Sequence, residues 1–277
     1  MEVSMKRFGL VAVMVALGVS LSAQTLKDGK YFAEQDGFGS SGWKSQVVLE
    51  VKGGKITAAN WNGVSNIAGA ADKKAYDKAG KYNMVKFGKA QAEWYQQAEK
   101  VEQYLVKTQD YKFNKYSDAE GHTDAISGAS IHVKEFFDLA QKAIAAGPVA
   151  KGMYAKDGWY YAEQPDFDKD SGWKETVLIT VVNGRIVDVV WNGISKDSAK
   201  KSKIVESASG NYGMVKFGKA QAEWHEQAAK AEAALINAQD PAKIAVKADG
   251  KTDAISGVSI HVGSFLQLAT TALKAAK

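Results

Sequence analysis

The sequence predicts an α+β fold, built as two tandem copies of a small antiparallel sheet packed by two main helices. Three observations predict it. Landmarks of the first half return 129 or 130 positions later, a period that marks a duplicated domain rather than a solenoid unit. Within each copy, apolar residues alternate with polar ones on either side of a glycine turn, the pattern of a hairpin with one buried face. Each copy then shifts to apolar spacings of three and four, the pattern of helices.

Residues 1–23 read as a secretory signal peptide: Lys6 and Arg7, an apolar run from Phe8 to Val19, and small residues suiting cleavage after Ala23. That run is too short to span a bilayer, which takes about 20 residues. The copies follow as domains 24–148 and 149–277, with the boundary where Gly147 and Pro148 stop a helix.

Copy one opens at Asp28-Gly29-Lys30-Tyr31 and copy two at Asp157-Gly158-Trp159-Tyr160, and Tyr31 to Gln35 reads as an added antiparallel strand. Val47, Leu49 and Val51 alternate with polar residues, Gly53-Gly54 turns the chain, and Ile56 resumes the alternation. Val177, Ile179, Val181, Asn183-Gly184 and Ile186 repeat this, with Asn-Gly the stronger type I′ turn. Phe87, Trp94, Ala98, Val101 and Leu105 fall on one face of a helix from near Asn83 to before Asp110. Phe217, Trp224, Ala228, Ala231 and Leu235 match them. A closing helix carries Val133, Phe136, Phe137, Ala140 and Ile144, matched by Val262, Phe265, Leu266, Ala269 and Leu273.

The stretch entering the closing helix is the leading candidate site. Asp124-Ala-Ile-Ser127-Gly128-Ala129-Ser130 returns as Asp253-Ala-Ile-Ser256-Gly257-Val258-Ser259. At a helix N-terminus, unpaired N–H groups and the positive dipole end favour an anion, and Gly128 or Gly257 lets a phosphate approach the backbone. The competing reading makes Ser127 and Ser256 ordinary N-caps, with Gly-Ala-Ser the first turn of a helix that only packs.

Trp61-Asn62 and Trp191-Asn192, where the hairpin gives way to a loop, are further candidates, since Trp either stacks on a flat ligand or fills a core. Tyr82 with Met84 and Tyr212 with Met214 occupy a similar place. His132 and His261 follow the motif serines by two positions. A lone His per domain, without a second His or Cys at metal spacing, argues against a metal site.

The motif resembles the attachment sequence of the FMN-binding domain family, D-x-x-[ST]-G-A-T. That family occurs in FMN-carrying subunits of sodium-pumping NADH:quinone reductases, in Rnf-type complexes and in tandem-domain extracytoplasmic electron carriers. The likeness covers most of both copies: the Asp-Gly-x-Tyr opening, Gly-Trp-Lys before the hairpin, the Tyr82 to Met84 and Asn211 to Met214 segments, the motif and the closing helix. It implies one FMN per domain, esterified through its phosphate to Ser130 and Ser259 by a separate FAD-dependent flavin transferase. It also implies a sequence read by that transferase that includes Asp124 and Asp253, a membrane redox donor and an extracytoplasmic acceptor. Two departures stand out. Both copies carry Ser where the family's modified residue is usually Thr, and Val258 replaces Ala. Serine offers the same hydroxyl without the methyl that restricts χ1.

With 45% hydrophobic and 24% charged residues among 277, the composition is that of globular protein. There is no cysteine, so no lipid-anchoring Cys, disulfide or thiol nucleophile is available. The net charge of +5 is spread along the chain without an Arg-rich block, which excludes a nucleic-acid partner. Nucleophile elbows, P-loops and dinucleotide-binding turns are absent from the sequence. The expectation is therefore an exported electron carrier, periplasmic or extracellular. The alternative is an extracytoplasmic binding or surface protein that keeps the fold with noncovalent flavin or none.

Overall fold

The computed structural model describes residues 25–277, so the expected signal peptide lies outside the described residues. Each copy forms a three-stranded antiparallel sheet with its hairpin partner in the middle. In the first repeat the strands are β1 (Gly29–Glu34), β2 (Trp43–Lys52) and β3 (Lys55–Ser65). After them come α1 (Lys73–Lys78), α2 (Met84–Gly88), α3 (Trp94–Thr108) and α4 (Lys134–Ala146). The second repeat has β4 (Gly158–Glu163), β5 (Trp173–Val182), β6 (Arg185–Ser195), α5 (Lys203–Ala208), α6 (Trp224–Ala238) and α7 (Gly263–Leu273). Among the described residues no helix is long and apolar enough to cross a membrane.

Both hairpins close through residues in the left-handed region, Gly53 and Gly54 in one and Asn183 and Gly184 in the other. That is the backbone a type I′ turn requires. The register pairs Val47 with Trp61 and Ala33 with Val47, and in the second repeat Val177 with Trp191 and Ala162 with Val177. These residues face the helices. Val47, Leu49, Trp61, Val101, Leu105, Phe136 and Phe137 form one core, and Val177, Ile179, Trp191, Ala231, Leu235 and Phe265 form the other.

Two sequence expectations are corrected. The first concerns the long helix expected from Asn83. It is broken, because Lys89 and its counterpart Lys219 take left-handed backbone and stop the helical register. The Glu93 carboxylate turns back to accept the N–H of Met84 at 2.7 Å, and Glu223 does the same for Met214 at 2.9 Å. Phe87 and Phe217 therefore stand out at 73% and 72% exposure instead of joining the core stripe.

The second concerns the hairpins, which bury both faces and not one, because the two sheets pack back to back. Val64, Leu178 and Val190 form an apolar cluster between them. Beside it, Gln46 is wholly enclosed with each polar hydrogen and lone pair occupied. Its amide nitrogen donates to Glu34 at 2.8 Å and Asp188 at 2.7 Å, and its oxygen accepts from Trp159 Nε1 at 2.7 Å and Thr180 at 3.0 Å. Lys44 bridges Asp188 at 2.8 Å and Glu34 at 3.1 Å. Burial, reinforced by Asp188 and opposed by Lys44, pushes Glu34 up to about 7. A buried polar set of this kind is costly unless complete, so it fixes how the sheets meet.

Candidate functional site

The repeated motif lies in a loop ahead of the closing helix. Helices α4 and α7 begin only at Lys134 and Gly263, with Val133 and Val262 at the cap positions and no side-chain cap. The reading of Ser127 and Ser256 as N-caps is thus corrected, as is the placement of the motif in the first helical turn. The reason is local: Gly128 (φ +81°) and Gly257 (φ +72°) occupy the left-handed region, which a right-handed helix cannot contain. The chain instead alternates around the turn. Ala129 and Ile131, or Val258 and Ile260, are buried as anchors, while Ser127, Gly128 and Ser130, or Ser256, Gly257 and Ser259, face solvent.

A buried glutamine holds each projecting serine. Gln97 Oε1 accepts the N–H of Ser130 at 2.7 Å and its hydroxyl at 3.1 Å. Gln227 does the same for Ser259 at 2.7 and 3.2 Å, and also accepts the N–H of Ile260. The amide nitrogens are spent on Ala92 and Ala222 carbonyls, which fixes the orientation of both carboxamides. A neutral acceptor positions a hydroxyl without deprotonating it.

Ser259 lines a cavity of about 630 Å³ in the second repeat. This lies within the roughly 300–1,000 Å³ of small-molecule sites. Its walls include Trp173, Tyr212 and Trp224, and its polar residues include Glu175 and Lys203. Lys203 pairs with Glu175 at 3.2 Å and lies 4.5 Å from the centre of the Trp224 ring and 5.7 Å from that of Tyr212. Burial lowers its pKa, against the opposing pull of Glu175. Met214 and His261 also line the cavity, so Tyr212, Met214 and His261 of the sequence reading meet there with Ser259.

The first repeat builds the same cage around Lys73, with Trp94 at 4.1 Å, Tyr82 at 5.1 Å and Trp43 at 5.8 Å. Burial drives Lys73 down to about 8, opposed by Glu135 and Asp77. The acid has moved: where the second repeat has Glu175 on the strand and Ser264 on the helix, the first has Ser45 and Glu135. Glu175 accepts from Trp191 Nε1 at 3.2 Å and from the Ser264 hydroxyl at 2.5 Å, and Ser45 accepts from Trp61 Nε1 at 3.3 Å. A smaller hollow of about 330 Å³, lined by Gln35, His132 and Glu135, lies at the rim of this site and does not reach Lys73 or its rings.

Trp61 and Trp191 are core residues. Trp191 is fully covered, stacked at 4.7 Å on Phe265 and edge-on to Trp224 at 5.1 Å, and Trp61 meets Trp94 edge-on at 5.3 Å and Phe136 at 5.4 Å with the rings tilted by 40°. Their rings leave no free face for a ligand. Asn62 and Asn192 are buried beside them, accepting the N–H groups of Gly63 and Lys74, and of Gly193 and Ile204. They join strand to helix instead of lining the cavity. Asp124 and Asp253 are exposed on the loop, the latter bridged to Lys247 at 2.6 Å.

Sequence reasoning missed the buried lysines, their aromatic cage, the glutamines and Lys230. The Lys230 ammonium lies against the bare face of Gly257, where a Cβ would approach it to 2.5 Å, and Lys100 runs beside Gly128. Repetition was the available signal, since Lys73, Gln97 and Lys100 recur as Lys203, Gln227 and Lys230. The view of each domain as holding a lone histidine also fails in the first repeat, where the His122 and His132 rings meet at 4.2 Å. Nine intervening residues hide that contact from spacing rules.

No protein-family model matches the chain, and no curated protein matches it. Two solved structures are similar. One is the solution NMR structure of a Clostridium thermocellum protein, 56% identical, covering 44% of this chain and 92% of that one, with a TM-score of 0.36. The other is the crystal structure of a Clostridium perfringens protein, 27% identical, covering 45% of this chain and 89% of that one, with a TM-score of 0.35. Neither name states a ligand or an activity.

Proposed function

We propose that the chain is an exported flavoprotein that carries electrons through FMN held in each repeat, phosphoester-linked to Ser130 and Ser259. The observation that carries this reading is Ser259, exposed beside a cavity whose walls are Trp173, Tyr212 and Trp224 and whose charged residues include Lys203. Flat apolar walls suit a tricyclic ring, and a lysine amid them suits its polar edge. The Lys230 ammonium beside Gly257 suits a phosphate on the adjacent serine, and the Lys100 side chain runs past Gly128 in the first repeat. When bound, FMN accepts and returns electrons, while the protein sets its exposure and potential.

Attachment is the work of an FAD-dependent flavin transferase. The serine oxygen gives up its proton and bonds to the FMN phosphorus as the FAD pyrophosphate bond breaks, releasing AMP. Solvent exposure of both hydroxyls leaves them accessible to that partner. A membrane donor and an acceptor outside the cytoplasm complete the role, in the periplasm or beyond the cell. The test is co-expression of the chain with a flavin transferase, followed by a visible spectrum and intact mass. Yellow protein heavier by two FMN units supports the reading. Colourless protein of unmodified mass supports the binding-protein alternative.

A further inference from the structure

Four side chains of the first repeat meet on its surface outside the caged-lysine site. Asp118, Glu120 and His122 share one turn, and His132 lies two residues beyond Ser130. Glu120 Oε2 is 3.9 Å from both His122 Nδ1 and His132 Nε2. One donor atom from each of these three residues lies within 4.8 Å of the others. The imidazoles are nearly perpendicular, at 77°. Asp118 Oδ2 lies 2.5 Å from His122 Nδ1, a contact that a metal ion on that nitrogen would displace together with its proton, leaving Asp118 Oδ1 to hold the turn.

The turn is fixed independently of any ligand. Asp118 Oδ1 accepts the N–H groups of Gly121 at 2.8 Å and His122 at 3.0 Å, and Ser117 donates its N–H to the His122 carbonyl at 2.8 Å. The Gly121 carbonyl accepts the N–H of Val133 at 2.8 Å, tying the turn to the segment that bears His132. Gly121 (φ +94°) is required there, because a Cβ would come within 2.4 Å of Lys134 Cβ. Only small closures separate the three donors from a common centre, and two imidazoles with a carboxylate are the donor set of a transition metal with open positions. Calcium and magnesium favour oxygen ligands throughout.

We propose that the first repeat binds one divalent transition-metal ion of the zinc or cobalt class through His122, His132 and Glu120, with Asp118 holding the turn. The second repeat lacks the set: Lys247, Asp249, Lys251 and His261 stand at the four positions, leaving one imidazole among two ammonium groups. The site is therefore asymmetric in a duplicated chain. The hollow lined by Glu120, His132 and Glu135 opens beside it, giving the open coordination positions room for a further ligand. This inference stands whether or not the serines carry flavin.

The test is calorimetric titration of untagged protein with Zn²⁺, and separately with Co²⁺ followed by its visible bands. One equivalent should bind at micromolar concentration. His122→Ala and His132→Ala should each weaken binding by more than the roughly tenfold that loss of an orienting partner costs. His225→Ala and His261→Ala, which change the chain's remaining histidines, should bind as the parent does. Thermal melts of all four check folding, with His122 half-buried and His132 exposed. Absence of stoichiometric binding by the parent overturns the proposal, as does equal binding by the folded His122→Ala/His132→Ala double variant.

Discussion

The side-chain oxygen of Gln227 accepts both the backbone N–H and the hydroxyl of Ser259, at 2.7 and 3.2 Å. The same pair recurs as Gln97 and Ser130, so the contact was fixed before or preserved since the duplication. It sets the direction of the hydroxyl by a buried group that cannot titrate.

Replacing Gln227 by Leu is expected to cost about 1–3 kcal/mol, because the Ser259 N–H and the Ala222 carbonyl lose a buried partner. Urea unfolding measures this. Flavin loading at Ser259 should fall while that at Ser130 is unchanged, and a variant that loads both serines normally would show that the glutamine only packs.

The exchanged acids give a second expectation. Glu135→Ala removes the main charge opposing burial of Lys73 and is expected to destabilise by on the order of 1 kcal/mol. Ser45→Glu with Glu135→Ser copies the second repeat and should recover much of that loss. Equal destabilisation in the single and double variants would show that the two arrangements are not interchangeable.

A third expectation concerns pH. Glu102 accepts from Trp61 N–H and pairs with Lys74 at 2.6 Å, but its counterpart Glu232 accepts from Trp191 N–H with Ile204 in the lysine's place. Burial pushes Glu232 up to about 8. Its unfolded value is about 4.3. Between these values the native state holds a proton that the unfolded chain has lost, so stability falls as pH rises through the window. Relative to Glu232→Gln, the parent should lose about 5 kcal/mol from below pH 4 to above pH 8. Parallel stability curves for the two proteins would show that the carboxyl ionises freely in the fold.

Surface and core can be told apart on one apolar series. Phe217→Ser should change stability by no more than about 0.5 kcal/mol, whereas Leu235→Ala should cost about 2–5 kcal/mol. Chemical denaturation of both settles whether Phe217 has a packing role.

Strands and hairpin turns were legible in the sequence because Val47, Leu49 and Val51 alternate at the period of a pleat and Asn183-Gly184 has few other uses. The break before Trp94 was not, since Lys89 carries no sign of the left-handed backbone it adopts and Phe87 continues the helical spacing. The sheet-to-sheet contact was hidden for a different reason. Gln46 and Asp188 have no copies in the other repeat, where Thr176 and Ala58 stand, so duplication gave no hint of a shared polar core. Of the site, the motif serines and the segments holding Tyr212 and Met214 were visible as repeated words. Lys203 was not, because one lysine among Lys196, Lys200 and Lys201 in a polar stretch looks like surface until aromatic rings are seen around it.

The most direct test is peptide-level mass spectrometry on protein co-expressed with a flavin transferase, comparing the parent with Ser130→Ala and Ser259→Ala. The account expects FMN phosphoester on the peptides bearing Ser130 and Ser259, each lost in its own variant and kept in the other. Unmodified peptides from fully active transferase, or flavin attached to any other residue, would contradict it.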